Sequence, residues 1–413
     1  MPQPHSPKPT ARGPPGARRD PPAALSRSCG PAAPTPDPLD ILVVSLRGPT
    51  NAARRGGAQD YVRAVMSRWV PMGHRVRLLC AHERLPDGGT LPDRETVDGI
   101  RVERVGTPQS RARPLVQAAR AAAPSVDVVV ENIMGFPLGL PLLLPAGTPL
   151  VAVKHHYQGR TFVTSLGWAR GLGGRFLEDV FQPAAYRNVP MVVPSEKTAR
   201  HVRRHWPSHR GPLVVVPPPV EAHEPVEVER AETPTLVYLG ALHLSRKRID
   251  HLLRAFREVL RHVPDARLFI AGDGPDRPAL EASAAELPVS FLGFVSDEGK
   301  ARVMGEAWAF ASPSLLEGFG ITWVEANAAG LPIVGYRIPG LDTIDESCAL
   351  LVPPGDVDAL ADGLVRVLTD RELRRRLSAG ARANAQRFDP DAASQAFLRV
   401  VEQAVGDAAA VPS

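Results

Sequence analysis

Hydrophobic positions along the chain alternate between two rhythms. Short unbroken apolar runs such as Ile41-Leu42-Val43-Val44 suit strands buried on both faces, the kind that build parallel sheets. Between them, apolar residues recur every three or four positions. Tyr61, Val62, Val65, Met66, Trp69 and Val70 mark one helical face, which ends at Pro71. Val76–Leu79, Ile100–Val105, Val126–Val130 and Leu150–Val153 read as strands. Ser195 is placed to cap a helix running to His205, and Leu213–Val216 closes the first half before three prolines.

The rhythm then restarts. Leu236–Leu239 predicts a strand, Ile249–Val263 a helix, and Leu268–Ala271, Phe291–Phe294 and Ile333-Val334 further strands. Asp389-Pro390 opens a last helix with Ala393, Ala396, Phe397, Val400 and Val401 on one face. No internal repeat or heptad is evident. Two successive βαβα runs predict an α/β chain with two doubly wound parallel-sheet domains and a cleft between them.

This reading divides the 413 residues into four parts. Residues 1–38 hold 12 of the 44 prolines and almost no large apolar side chains, so they read as a disordered tail or the product of an upstream start codon. They contain no apolar stretch that would make a secretory signal. Residues 39–217 and 218–388 form two Rossmann-like domains, and 389–413 a helix packing back on the first. The uncharged run Ile133–Val153 is long enough for a bilayer but is cut by Pro137, Pro141, Pro145 and Pro149, which excludes a membrane helix.

Composition narrows the function further. Cys29, Cys80 and Cys348 have neither metal-ligand spacing nor a disulfide framework, which predicts a cytoplasmic protein. A net charge of +5 spread over the chain, with 5% aromatic residues, argues against a nucleic-acid binder. Only five of the 49 basic residues are lysine: Lys8, Lys154, Lys197, Lys247 and Lys300. Where arginine is the default, each lysine is worth attention.

The most specific stretch is Glu317-Gly318-Phe319-Gly320-Ile321-Thr322-Trp323-Val324-Glu325. It places one glutamate in a glycine loop and another inside the helix that follows. The amides of Phe319 to Thr322 would open that helix toward the cleft, where a phosphate is favoured. Upstream, Gly240-Ala241-Leu242-His243-Leu244-Ser245-Arg246-Lys247-Arg248-Ile249-Asp250 puts Lys247 at the carboxyl end of a strand, where doubly wound folds bind ligands. Asp356-Val357-Asp358 imitates a metal-binding pattern, but its place at a helix start reads as capping.

These motifs, with Ala271-Gly272-Asp273-Gly274-Pro275, Phe291 to Glu298 and Leu351 to Asp356, resemble the family 4 retaining glycosyltransferases of GT-B fold. The resemblance spans residues 39–405 and is strongest in the second half. Gly56-Gly57-Ala58-Gln59 resembles the family's first glycine turn, and serves equally as a ligand approach or a tight strand-to-helix turn. Glu131-Asn132-Ile133 and Lys154-His155-His156-Tyr157 are similar to one branch, with His155 or His156 facing the cleft.

The resemblance implies roles. Lys247 neutralises the donor diphosphate with the amides of Gly318-Phe319-Gly320, and Glu325 binds ribose hydroxyls. Glu317 binds the transferred sugar, His155 contacts that sugar or its leaving oxygen, and Phe294 lies near the base. The family's usual arginine after the strand glycine is replaced by Ala241, and Arg246 or Arg248 is left to supply its charge.

The reaction implied is retaining, metal-independent transfer from a UDP- or GDP-linked sugar, without a cofactor. A small soluble acceptor of secondary metabolism is expected, contacted by residues 106–120 and 155–175. The alternatives are a lipid-linked acceptor and a non-catalytic sugar-nucleotide binder; an epimerase on the same fold is remote. Arg200, Arg203, Arg204, His205 and Arg210 suit peripheral membrane contact, but no stripe of bulky apolar residues is expected beside them.

Overall fold

The structure is a computed structural model. It describes residues 37–49, 57–85, 88–107, 112–155, 157, 167–220, 230–317, 319–338 and 341–410. The proline-rich stretch up to residue 36 lies outside the described residues, as do Gly56, His156 and Gly318.

The first sheet is built from β1 (Asp40–Ser45), β2 (Arg75–Ala81), β3 (Arg94–Val97), β4 (Ile100–Val105), β5 (Val128–Ile133), β6 (Leu150–Lys154), β7 (Met191–Val193) and β8 (Leu213–Val215). Their spatial order is β3-β4-β2-β1-β5-β6-β7-β8, and every pair is parallel except the β3–β4 hairpin. The second sheet comprises β9 (Thr235–Leu239), β10 (Arg267–Ala271), β11 (Val289–Gly293), β12 (Ala309–Ser312), β13 (Ile333–Tyr336) and β14 (Ala349–Val352). It is wholly parallel, in the order β11-β10-β9-β12-β13-β14.

The unbroken apolar runs are the central strands, because helices cover both faces of each sheet. Ile41 and Val43 face one core cluster, whereas Leu42 and Val44 face another. In the second sheet Leu236 and Tyr238 point one way and Val237 the other. The period-two alternation is present, but both faces are apolar and it leaves no polar trace.

Several boundaries differ from the sequence reading. The Val126–Val130 strand begins at Val128 and continues through Glu131 and Asn132, polar residues buried by their hydrogen bonds. The Phe291–Phe294 strand starts at Val289 and ends at Gly293. The hairpin strand β3, the three-residue β7 and the helical stretch from Trp168 to Ala185 were not anticipated. That stretch contains a π-helical turn, Leu177–Phe181, which interrupts the 3.6-residue rhythm.

Helix Pro390–Ala409 packs on the first sheet's core, although it follows the second sheet in sequence. Ser394 Oγ donates to the Val65 carbonyl at 2.9 Å, and Trp69 Nε1 donates to the Ser394 carbonyl at 3.1 Å. Phe397 is edge-on to Trp69, with ring centroids 5.3 Å apart. No helix among the described residues is long and apolar enough to cross a membrane. The run from Ile133 to Val153 is instead the end of β5, the short helix Leu140–Leu143 and most of β6.

Candidate active site

In each sheet the strand order reverses once, between β1 and β5 and between β9 and β12. Loops leave in opposite directions at such a point and open a crevice at the carboxyl ends of the strands. Polar side chains meet at both.

At the first reversal, Asn132 of β5 donates through Nδ2 to Ser45 Oγ of β1 at 3.1 Å. Its Oδ1 lies 2.6 Å from His155 Nε2, just beyond β6. The imidazole is edge-on to Tyr61, centroids 5.3 Å apart, and the His155 carbonyl accepts from Thr198 Oγ1 at 3.3 Å. Tyr61 in turn donates to the Val216 carbonyl at 3.0 Å. Asn132, Tyr61 and Thr198 therefore hold His155 at the end of its strand.

At the second reversal, the β9 and β12 loops are joined by the Leu315 amide, which donates to the Arg246 carbonyl at 2.9 Å. Just beyond that bond Lys247 Nζ forms an ion pair with Glu317 Oε1, with side-chain exposures of 19% and 12%. Lys197, on the first domain's helix Glu196–His205, reaches across to the Glu317 carbonyl at 3.5 Å. Glu325, in helix Ile321–Ala328, accepts from Lys300 Nζ at 2.7 Å, and Asp297 flanks the same ammonium at 3.4 Å. Burial alone would lower the Lys300 pKa, but Glu325 and Asp297 more than offset it and the net shift is upward.

Four of the five lysines are thus accounted for. Lys197, Lys247 and Lys300 converge on the two glutamates. Lys154 is buried elsewhere, bonded to Glu178 Oε1 at 3.2 Å and Gln182 Oε1 at 2.9 Å, with Trp206 against its ammonium. Lys197, Lys300, Asn132 and Tyr61 escaped the sequence reading as site residues. The scarcity of lysine was the one signal that could have found the first two.

A cavity of about 190 Å³ lies between the halves of the chain, lined by Tyr61, Arg63, Pro218, Lys300, Ile321 and Glu325 among others. Gly57 begins helix Gly57–Met66 at its rim. A Cβ there would come within 3.1 Å of Ile321 Cδ1, so this glycine admits a close approach of the two halves. Gly320, at φ +81°, precedes Ile321 and accepts from the amides of both Trp323 and Val324. The amides of Ile321 and Thr322 then have no acceptor within the helix, as at any helix start.

Other expected contributors are placed differently. The Phe319 ring is buried edge-on against Phe388, and its carbonyl accepts from Thr343, so only its amide can serve a ligand. Phe294 is 72% exposed just past β11 and does not line the cavity, and neither do His155, Lys247 or Glu317. Arg248 adopts the left-handed conformation at φ +48° and spends its guanidinium on both oxygens of Asp250, at 3.0 and 2.8 Å. Arg246 is exposed and has no carboxylate partner among the described residues.

The Gly272-Asp273-Gly274 motif is explained by packing. A Cβ on Gly272, at φ +134°, would fall 2.0 Å from the Gly240 carbonyl oxygen, so glycine lets β10 abut the β9 loop. Asp356 Oδ1 accepts from the Ala359 amide at 2.9 Å and caps helix Val357–Thr369. Glu131 supports the first reversal from beneath, its Oε1 accepting from Tyr186 at 2.7 Å and the Leu138 amide at 2.8 Å.

Comparison with known proteins agrees with this architecture. Residues 56–219 match the family model of the glycosyl transferase 4-like domain, and residues 233–370 that of glycosyl transferases group 1. The phosphatidyl-myo-inositol mannosyltransferase of Mycobacterium tuberculosis is 37% identical over 186 residues, 43% of this chain and 49% of that protein. The matched segment therefore spans about half the length of that relative. The MMP alpha-(1->4)-mannosyltransferase of Mycolicibacterium hassiacum is 29% identical and aligns with 90% of this chain and all of its own length. Among solved structures, the sucrose-phosphate synthase of Thermosynechococcus elongatus superposes with a TM-score of 0.71 at 22% identity, covering 88% of this chain and 98% of its own. With one family model on each sheet and the same two-sheet fold in its neighbours, the chain belongs to the family 4 glycosyltransferases of GT-B architecture.

Proposed function

We propose that the protein transfers a sugar from a nucleoside diphosphate donor, with the diphosphate on Lys247 and the amides opening helix Ile321–Ala328. The observation that carries this reading is two ion pairs on the second domain, Lys247 with Glu317 and Lys300 with Glu325, with the first domain's Lys197 reaching the Glu317 carbonyl. Breaking the anomeric C–O bond leaves both electrons on the diphosphate oxygen. A fixed ammonium and fixed amides stabilise that charge without reorganising. Arg246 lies beside Lys247 and supplies the second cation.

Glu325, steadied by Lys300, accepts from the ribose hydroxyls, and Glu317 from the sugar. His155 approaches the sugar from the other domain. The acceptor oxygen forms the new bond on the face the diphosphate leaves, and its proton passes to the departing diphosphate oxygen, so configuration is retained.

The acceptor is better read as lipid-carried than as small and soluble, contrary to the sequence expectation. Trp168, Leu172, Phe176 and Val180, spaced four apart, are 75%, 54%, 59% and 53% exposed. Leu142, 63% exposed, extends the patch, since Phe181 and Leu143 both lie against Gly139. Trp206 ties this element to the arginine-rich helix Glu196–His205 by donating to the Glu178 carbonyl at 3.1 Å. A bulky apolar stripe beside exposed arginines suits a lipid interface.

A thermal-shift screen against UDP, GDP and their sugars tests the donor site. A nucleotide at 100 times its dissociation constant should stabilise the protein by about 2.7 kcal/mol, and Lys247→Ala should abolish the response. Absence of any response in the parent chain would overturn the reading. Vesicle co-sedimentation that is unchanged in Trp168→Ser/Phe176→Ser would return the acceptor to the soluble class.

A further inference from the structure

A second cavity, of about 340 Å³, lies away from the cleft on the second domain. Arg230, Arg371, Arg374, Arg375 and Arg382 line it with Trp308. Helix Arg371–Ala385 supplies four of the five arginines, and its Ser378 completes the wall. The volume is that of about ten water molecules, enough for a compact ligand with several charged groups.

The charges here are not neutralised by the wall itself, for no carboxylate lines it among the described residues. Arg230 spends its guanidinium on the neutral carbonyls of Met304, Gly305, Ala307 and Ala329. Arg374 bonds the carbonyls of Val367 and Leu368 at 2.8 and 2.9 Å and stacks over Trp308 at 4.3 Å. Arg371 and Arg382 have no carboxylate partner among the described residues, and Arg375 has only the highly exposed Glu372, at 3.0 Å. Asp370, next in sequence, gives its Oδ1 to the Leu373 amide as a helix cap. Desolvation and a like-charged neighbour, Arg382 for Arg230 and Arg371 for Arg374, lower both guanidinium pKa values.

Gathering like charges costs stability unless a counter-anion repays it. Two of the forks are also locked in place by backbone carbonyls, which preorganises them. We infer that this cavity is a binding site for a polyvalent phosphate anion, held by Arg371, Arg375 and Arg382 above the fixed Arg230 and Arg374. Forked guanidinium groups match phosphate oxygens in pairs, which favours a phosphate over a single carboxylate. The position also matters to the cleft. Arg230 holds the carboxyl ends of the helices Asp297–Glu306 and Ile321–Ala328, which carry Lys300 and Glu325. An anion in the cavity therefore acts on the far ends of the two helices that frame the donor site.

Calorimetric titration with tripolyphosphate at constant ionic strength tests the site. Saturable binding is expected in the parent chain and in Lys247→Ala, with affinity falling at least roughly tenfold in Arg371→Ala/Arg375→Ala, the loss of two charge-assisted contacts. Ser378→Asp should weaken binding similarly and serves if the double variant does not fold. A parallel arm with phosphatidylcholine vesicles containing a phosphoinositide distinguishes a headgroup from a free phosphate. Sedimentation that depends on Arg371 and Arg375 assigns the site to a lipid headgroup, and heat with tripolyphosphate alone assigns it to a soluble ligand. Binding lost in Lys247→Ala but kept in the arginine variant would place the anion in the donor cleft and overturn the inference. So would indifference of both arms to the arginine substitutions.

Discussion

Lys247 and Glu317 come from the loops after β9 and β12, on either side of the point where the second sheet reverses its order, and meet there as a largely desolvated ion pair. Seventy residues separate them in sequence, yet one backbone hydrogen bond, from Leu315 to Arg246, sets the loops side by side. The pair sets an ammonium directly against a carboxylate. On the proposed reading, a nucleotide sugar that lays its diphosphate on Lys247 brings its hexose to Glu317.

Removing either partner should stop transfer without unfolding the protein. Lys247→Ala and Glu317→Ala are each expected to lower kcat/KM by about 10²–10³, the usual cost of losing one preorganised group that stabilises transition-state charge. Steady-state release of nucleotide from the donor measures this. Near-normal turnover in Lys247→Ala would refute the phosphate assignment.

On the proposed reading, Lys300 acts on the donor through Glu325. Lys300→Ala should raise the donor KM by roughly tenfold, the equivalent of one charge-assisted hydrogen bond, and leave kcat much less affected. Lys300→Arg should restore most of the affinity, since an arginine there still reaches the carboxylate. An unchanged donor KM would mean that Lys300 serves only the helix start at Asp297.

Glu131 should give the fold a pH slope. Burial pushes its carboxyl from the ordinary 4.5 up to about 7, against the downward pull of the Tyr186 hydroxyl and nearby amides. Between those values the folded chain holds a proton that the unfolded chain has released. Stability therefore falls as pH rises through that window, by up to about 3 kcal/mol. Glu131→Gln keeps the accepting Oε1 and carries no charge, so its advantage over the parent in Tm should be larger at pH 8 than at pH 5. Parallel melting curves at the two pH values decide this.

Lys154 should matter for stability more than for binding. Its ion pair with Glu178 is 2% and 1% exposed, so Lys154→Met leaves a buried carboxylate without its counter-charge. That should cost about 3–5 kcal/mol, whereas Lys154→Met/Glu178→Leu should recover most of it. Chemical unfolding of the three proteins measures the difference. A double variant no better than the single would mean that packing against Trp206, not charge, holds the lysine.

Much of this was legible along the chain. Apolar runs and helical faces report burial residue by residue, so the central strands and the helix after Asp389 stood out, as did the glycine loop between Glu317 and Glu325. Strands too short to show a period, such as Met191–Val193, did not. Neither did the π-helical turn after Trp168, whose residues break the rhythm on which helices are recognised.

The sequence by itself determined the two parallel sheets, the cleft at their carboxyl ends and the identity of the acidic and basic residues available to it, because hydrophobic period and glycine placement are local properties. Only the tertiary structure decided which of them meet. Lys197 and Lys300 are neighbours of the two glutamates through strand order and domain apposition, Arg248 is paired with an aspartate two residues away, and Arg230, from the segment before β9, joins four arginines of helix Arg371–Ala385 around one cavity. Those outcomes depend on distances through space between residues far apart in the chain, or on one side chain choosing among several partners, and no local pattern encodes either.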